Sequence, residues 1–193
     1  MKPEYKMRAI PAEFRAVGDE KDPHIAGYFA VFDSPYIIYP GMEERIDSHA
    51  FDNTLARDIR ALVNHDTTLV LGRNTAHTLE LSVDSHGLFG DIAINPNDSD
   101  AMNAYARVQR GDVSQCSIGF DIIDEETEYR EDGSVCWILR EIKLYEVSVC
   151  TFPAYEETSV SARAREGAEL IKRRNRAWGS KLLARLRGDK DNA

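Results

Sequence analysis

Apolar side chains recur at every second position, or in compact runs, through most of residues 5–151, and Gly, Pro, Asn and Asp separate these stretches. Alternation of this kind is typical of short strands that bury one face. Leu79, Leu81 and Val83 show it most simply. The pattern predicts strands at residues 7–14, 26–32, 59–64, 78–83, 88–94, 113–124, 135–142 and 143–151. Turn residues at Ser85-His86-Gly87 and Asp132-Gly133 predict two hairpins.

Two stretches have the spacing of helices instead. The Asp-Ser pair at residues 47–48 can cap a short helix that carries Phe51. Asp98 or Ser99 opens a longer helix, which we expect to end at Gly111. Short strands with two inserted helices predict an α+β domain built on a closed or nearly closed β-barrel, an arrangement that also removes exposed strand edges.

The charge of the chain is divided between two regions. Residues 161–193 hold ten Lys or Arg against four Asp or Glu, whereas residues 1–160 hold 14 basic and 29 acidic side chains. We therefore expect a domain at 1–160 and a basic tail at 161–193. The acidic domain disfavours nucleic acid as the main ligand. The tail has some apolar residues at helical spacing, so it is interpreted either as a solvated, disordered end or as a helical docking segment for a partner protein.

Composition narrows the class further. Hydrophobic residues make up 42% and charged residues 30% of the chain, which is typical of a soluble globular protein. There is no apolar run of the roughly 18 residues that cross a bilayer and no signal-peptide block at the start, so we expect a cytosol-like compartment. The three cysteines lack CxxC spacing, which predicts buried thiols rather than a disulfide framework or a zinc site.

Ser117 is the first candidate for chemistry. In the predicted strand 113–124, Cys116, Ile118 and Phe120 share one face with Ser114, and their apolar character marks it as the core face. Ser117 lies on the opposite face, where we expect a substrate to reach it. Ser114 is the fallback nucleophile, disfavoured because it shares the core face.

His65 closes the apolar stretch 59–64, at a point where a strand gives way to a loop. The end of a strand fixes the position of a side chain and leaves it accessible. A neutral imidazole can take the proton of a serine hydroxyl and return it to the leaving group. Two of the other histidines lie in turn-like polar segments and are expected to be less fixed. The competing residues are His24, His49, His77 and His86, and the two in turn-like segments are His24 and His86.

Glu146 interrupts the apolar strand 143–151. A buried carboxylate needs a partner, which an imidazole would supply, whereas on the solvent face of an edge strand it would need none. Ser, His and an acid acting together would form an oriented nucleophile for acyl transfer. The sequence contains no Walker A motif, no GxGxxG after a strand, no HExxH and no GxSxG.

An ordered series of motifs over about residues 5–160 resembles the prohead serine proteases of tailed phages with HK97-like capsids. By position, the His of the family's N-H-D segment falls on His65, the Ser of its S-x-G-F segment on Ser117, and the acid of its E-V-S segment on Glu146. One departure is Ser48-His49-Ala50-Phe51, where the family often has a Pro-Gly-Ala-Phe-like segment. The series comprises Gly27-Tyr28-Phe29-Ala30-Val31-Phe32-Asp33, Ala50-Phe51, Leu62-Val63-Asn64-His65-Asp66, Leu71-Gly72, Gly87-Leu88, Arg110-Gly111-Asp112, Ser117-Ile118-Gly119-Phe120 and 146–155.

The resemblance implies a serine endopeptidase of capsid maturation with an assemblin-like β-barrel surrounded by helices. Its expected substrates are scaffold protein, the scaffold-like region of the major capsid protein, and the protease itself. It would act in the host cytoplasm, within the assembling prohead, without a membrane, a metal or an organic cofactor. A homo-oligomer is compatible with this function. The oxyanion donors are expected near Gly72-Arg73 or Gly119.

Two other classes of function stay open at this point. The alternative to the enzyme is a non-enzymatic capsid-assembly or scaffold-binding module, for which an acidic domain and a basic tail would be suited. A weaker hypothesis makes the tail a nucleic-acid-binding arm.

Overall fold

The structure, a computed structural model, describes residues 6–11, 13–19, 21–152, 167–169, 171–173, 176 and 180. Strands dominate it, and the strand-rich α+β class predicted from the sequence is confirmed. The strands are β1 (Lys6–Pro11), β2 (Glu13–Val17), β3 (His24–Val31), β4 (Tyr36–Tyr39), β5 (Met42–Ile46), β6 (Arg60–Val63), β7 (Asp66–Arg73), β8 (Leu79–Val83), β9 (Gly87–Ala93), β10 (Gln115–Tyr129) and β11 (Val135–Cys150). The helices are α1 (Ser99–Arg110) and a 3₁₀ turn at Asn74–Ala76, and the described residues of the tail, at 167–169, 171–173, 176 and 180, are also helical.

Strand β11 is the centre of the larger, seven-stranded sheet. It pairs with β10 along its whole length in antiparallel orientation. On its other side, residues 135–139 pair with β5 and residues 146–149 pair with β6, both in parallel orientation. Strand β1 covers the outer edge of β10 over residues 115–120. The last third of β11 is therefore flanked by β6 on one side and by the start of β10 on the other.

The smaller sheet has four antiparallel strands in the order β2-β3-β9-β8. The hairpin predicted at residues 85–87 is confirmed, since Val83 pairs with Leu88 and the two strands continue to Leu79 opposite Ile92. Gly87 is required there, because a Cβ at this position would lie 2.0 Å from the carbonyl oxygen of Ala30.

The main hydrophobic core is formed by both sheets and by α1. Cys116, Ile118 and Phe120 are each 0% exposed and belong to it, so the face of β10 that was predicted to be the core face is confirmed. Full burial of a side chain as large as phenylalanine stabilises the folded state by about 1.5–3 kcal/mol. Ser117 lies on the opposite face of β10, directed away from these core residues.

The longer predicted helix is confirmed as α1. The Asp98 carboxylate accepts hydrogen bonds from the backbone N–H groups of Asp100 and Ala101, which caps the helix. Gly111 ends it with a φ of 85°, a left-handed conformation that glycine adopts readily.

The short helix predicted after Asp47 is wrong: residues 48–57 form a series of turns. Their backbone hydrogen bonds span three residues, as from Ala50 to Asp47 and from Thr54 to Phe51. The Thr54 hydroxyl accepts the backbone N–H of Leu144 at 2.8 Å and so holds the segment against β11. Phe51 is nevertheless fully buried, which is what its apolar pattern indicated.

Several strand boundaries also differ from the prediction. Strands β4, β5 and β7 were missed, and β5 carries Glu43 and Glu44, which interrupt the apolar alternation. The single strand predicted at 7–14 is two strands that join different sheets. The two predicted at 135–142 and 143–151 are one strand, β11, which pairs with β10 from Val135 to Cys150 with three irregularities in register. The turn at Asp132-Gly133 is confirmed, with Gly133 at a φ of 92°.

A second apolar cluster lies away from the main core, around Met42 and Trp137. From the basic tail, Ala168 and Ile171 pack against this cluster, and Gly167 is buried beside it. The described residues of the tail are helical, and the rest of the tail lies outside the described residues. None of the helices in the described parts of the chain is long and apolar enough to cross a membrane.

Candidate active site

Two of the predicted site residues, Ser117 and Glu146, lie on one face of the β10–β11 pair. Glu146, Ser148 and Cys150 alternate along β11, and their direct partners on β10 are Gly119, Ser117 and Gln115, respectively. Directly opposed residues of an antiparallel pair project to the same side of the sheet. Ser117 therefore shares a face with Glu146, on the side opposite to the core residues of β10.

His65 reaches this face from the end of β6. Val63 pairs with Asp66, so Asn64 and His65 are the two central residues of a tight hairpin turn. Their φ angles are 51° and 58°, the left-handed values that a type I′ turn requires at both positions. Asparagine and histidine tolerate this conformation better than most residues. The turn directs the histidine back over the end of β11.

The side chain of Asn64 attaches this turn to the end of β11. Its Oδ1 accepts the backbone N–H of Thr151 at 2.9 Å, and its Nδ2 lies 3.4 Å from the Thr151 hydroxyl oxygen. The backbone N–H of Asn64 donates to the carbonyl of Val149 at 3.0 Å. Three hydrogen bonds thus hold the residue next to His65 in place.

His65 and Glu146 are in direct contact. The imidazole Nδ1 lies 2.6 Å from Glu146 Oε1, and the two side chains are 8% and 2% exposed. A carboxylate oxygen accepts from an imidazole N–H, so this contact places a proton on Nδ1 and leaves Nε2 of a neutral ring as a hydrogen-bond acceptor. This is the tautomer that a general base for a serine hydroxyl needs.

Ser117 lies on the neighbouring strand, directly opposite Ser148. Paired residues of antiparallel strands have Cα atoms about 4.5–5.5 Å apart. Ser117 is therefore one strand spacing from Ser148, which follows Glu146 on the same face of β11. The expectation that substrate reaches Ser117 directly is wrong for this structure, because the residue is 0% exposed. Its face is packed over, as the burial of Glu146 and Ser148 beside it also shows.

Cys150 lies next to Nε2, the second ring nitrogen of His65. Its Sγ lies 3.9 Å from His65 Nε2 and 3.8 Å from the carbonyl oxygen of Ser148, to which the thiol donates. Burial, together with the Glu146 carboxylate, raises the pKa of Cys150 to about 12. The group is therefore a neutral thiol near pH 7, and it is not an activated nucleophile.

The sequence prediction missed Asn64, Ser148 and Cys150 as members of this site. A signal was present for Ser148 and Cys150, because residues two and four positions after Glu146 on a strand share its face. For Asn64, the Asn-His-Asp sequence between two apolar runs carried the signal of a tight turn.

The other histidines and the fallback serine lie elsewhere. His24 was expected to be loosely placed, but its Nδ1 is 2.7 Å from Asp91 Oδ1 across two strands of the smaller sheet. His49 is exposed and contacts Asp52 of its own turn. Ser114 is exposed and precedes β10, so it is not part of the core face. Among the residues that the structure describes, no three His, Cys, Asp or Glu side chains are grouped to hold a metal ion.

Comparison with known proteins shows the family to which the chain belongs. The family model of the caudovirus prohead serine protease matches residues 11–173, and the chain belongs to that family. It is also similar to the prohead protease of Enterobacteria phage HK97, with 30% identity over 169 residues that cover 83% of this chain and 69% of that protein. No solved structure matches the chain.

Family membership decides between the enzyme and the non-enzymatic assembly module. The chain is a serine protease of phage capsid maturation, which acts in the assembling prohead on capsid-related substrates. The alternative of a non-enzymatic assembly module is therefore set aside.

Proposed function

We propose that Ser117 is the nucleophile, His65 the general base and acid, and Glu146 the orienting carboxylate of this protease. The observation that carries the proposal is the buried 2.6 Å hydrogen bond between His65 Nδ1 and Glu146 Oε1. It is supported by the register that gives Ser117 and Glu146 the same face of adjacent strands.

In the proposed reaction, Ser117 Oγ attacks the carbonyl carbon of the scissile peptide and His65 Nε2 takes the hydroxyl proton. The tetrahedral intermediate collapses to a serine ester as the C–N bond breaks and the imidazolium returns its proton to the leaving amine. Water then attacks the ester with the same base, which releases the acid product and restores the serine. Glu146 stays ionised throughout and stabilises the imidazolium.

The oxyanion is proposed to be held by backbone N–H groups near Gly119, which lies opposite Glu146 on the face of the site. The neighbourhood of Gly72 is less suitable. A Cβ at Gly72 would lie 2.4 Å from the carbonyl oxygen of Thr78, which assigns this glycine to close packing of the chain.

Catalysis also requires that the part of the protein packed over Ser117 moves. The hydroxyl of a residue that is 0% exposed cannot meet a polypeptide substrate in this conformation. A buried nucleophile beside a formed His65–Glu146 pair is suited to a protease whose activity is delayed until assembly. We propose that the free chain is latent in this way.

We also propose which proteins are the substrates and where the reaction occurs. The substrates are the scaffold protein, the scaffold-like region of the major capsid protein, and a site in the protease's own basic tail. The reaction takes place in the host cytoplasm, inside the prohead, between associated copies of the chain and without a metal or organic cofactor. We further propose that the two sheets approach an assemblin-like closed barrel.

The test is co-expression with the major capsid protein of the same phage, followed by intact-mass spectrometry of both chains. The wild type and the control Ser82→Ala, an exposed serine on β8, are expected to shorten the capsid protein. Ser117→Ala is expected to leave it intact, since loss of a nucleophile costs roughly a thousandfold or more in rate. Equal processing by Ser117→Ala would refute the assignment.

A further inference from the structure

Ser148 contacts both residues of the His65–Glu146 pair. Its Oγ lies 2.5 Å from Glu146 Oε2, to which the hydroxyl donates. The same Oγ accepts the backbone N–H of His65 at 3.3 Å. The donor of the hydroxyl and one of its acceptor positions are both used by the site.

These contacts satisfy both oxygens of a buried carboxylate. Glu146 Oε1 accepts from the imidazole and Oε2 accepts from Ser148, while the carboxylate is 2% exposed and Ser148 is 0% exposed. Two donors on different oxygens fix the plane of the carboxylate and hence the direction of the imidazole bound to it. Without the hydroxyl, Oε2 would lose its bond to Ser148 in a place that water does not reach.

The second bond acts on the backbone. His65 has a left-handed φ of 58°, which is costly for a residue with a side chain, and its N–H points at Ser148. The hydroxyl therefore holds the turn at the same time as it holds the carboxylate. Glu146 and Ser148 are two residues apart on β11, which gives both contacts one rigid support.

We propose that Ser148 is a positioning residue of the protease, which sets the orientation of Glu146 and the turn of His65 and does not itself touch the substrate. The catalytic consequence rests on the proposed function of His65 and Ser117. The structural part, the ordering of the His65–Glu146 hydrogen bond, does not depend on it.

The first measurement is the rate at which a fluorophosphonate labels Ser117 in the full chain co-expressed with the major capsid protein, where processing shows that Ser117 is accessible, compared with Ser148→Ala, Ser148→Cys and Ser148→Thr. The control is Ser82→Ala, because Ser82 is a strand serine exposed on the other sheet. Ser148→Ala is expected to slow labelling about 10- to 100-fold, the cost of a lost hydrogen bond to a charged group. Ser148→Thr keeps the hydroxyl and is expected to stay within about threefold of the wild type.

The second measurement needs no activity. Proton NMR of the wild type should show the His65 Nδ1 proton far downfield, assigned by its loss in Glu146→Gln. Ser148→Ala is expected to shift or broaden this signal, while Ser148→Thr and Ser82→Ala retain it. If the alanine variant does not fold by circular dichroism, Ser148→Cys takes its place, with a weaker donor and an intermediate effect.

The outcomes separate this proposal from the proposed function. Unchanged labelling together with an unchanged His65 signal in Ser148→Ala would overturn the positioning role. A phosphonate adduct on Ser148 itself would also overturn it, since the residue would then be a nucleophile. If Ser117 is not labelled even in wild-type chain that is processing the capsid protein, the assignment of Ser117 fails, and the NMR comparison alone decides whether Ser148 orders the pair.

Discussion

The imidazole of His65 and the carboxylate of Glu146, 81 residues apart in the chain, meet at 2.6 Å in the interior of the protein. The parallel pairing of β6 with residues 146–149 of β11 brings them together, and the hairpin turn at the end of β6 completes the approach. The contact is therefore a product of long-range strand register.

Glu146→Gln tests the role of the carboxylate. The amide has a similar shape but no charge, so it cannot stabilise the imidazolium or fix the tautomer with a proton on Nδ1. We expect peptide hydrolysis to fall by about 10³- to 10⁴-fold, with little change in the circular dichroism spectrum. The matched control is Glu80→Gln, on an exposed position of β8, which should retain full activity. Retention of activity by Glu146→Gln would exclude a catalytic carboxylate here.

Substitutions of Asn64 test the backbone strain in the hairpin turn at residues 64–65. Asn64→Ala loses the side-chain bonds to Thr151 and leaves a residue with a Cβ at a φ of 51°, so we expect a loss of about 1–3 kcal/mol in the free energy of unfolding. Asn64→Gly loses the bonds but relaxes the backbone and should be less destabilised. Urea denaturation measures both, with the exposed helix residue Asn103→Ala as control. A glycine variant less stable than the alanine variant would contradict the strain.

The His24–Asp91 pair predicts a pH dependence of stability. The hydrogen bond to Asp91 raises the pKa of His24 above its ordinary value of 6.5, against the opposing effect of burial. A raised pKa in the folded state means that the stabilisation is fully present below the unfolded-state pKa and is lost as pH rises through the folded-state pKa. The free energy of unfolding of the wild type should therefore exceed that of Asp91→Asn by more at about pH 5.5 than at about pH 8.5. An equal difference at both pH values would show that the pair is not coupled to folding.

The three cysteines predict a slow reaction with thiol reagents. All are free and buried, and burial raises the pKa of Cys136 to about 11 and that of Cys150 to about 12, with Cys116 raised as well. Thiolates are the reactive form, so the native chain at about pH 8 should react with Ellman's reagent far more slowly than the unfolded chain. In denaturant, three thiols per chain should react at once. Rapid reaction of a native thiol would place that cysteine at the surface.

The sequence predicted the parts of this fold that depend on local patterns. Alternation along β10 separated Ser117 from the core residues Cys116 and Ile118, and the register with β11 agrees. Capping residues located α1 because Asp98 and Gly111 act within one turn of the chain. These signals are local, and a sequence records them directly.

Other features could not be obtained in this way. Strand β5 was missed because Glu43 and Glu44 interrupt the apolar pattern in the sequence. Its burial comes from its neighbours in the sheet. The burial of Ser117 depends on what covers its face, which side-chain parity along one strand does not determine. Contact between His65 and Glu146 requires the β6–β11 register, so the sequence supplied the candidates and the resemblance to a family linked them.

The most direct test of the central claim is to map, by digestion and tandem mass spectrometry, the residue that a fluorophosphonate modifies in the full-length chain while it processes co-expressed major capsid protein. The account predicts one adduct, on Ser117, which forms in the wild type and is absent from His65→Gln. An adduct on another serine, or capsid processing by a chain in which Ser117 has been replaced by alanine, would contradict it.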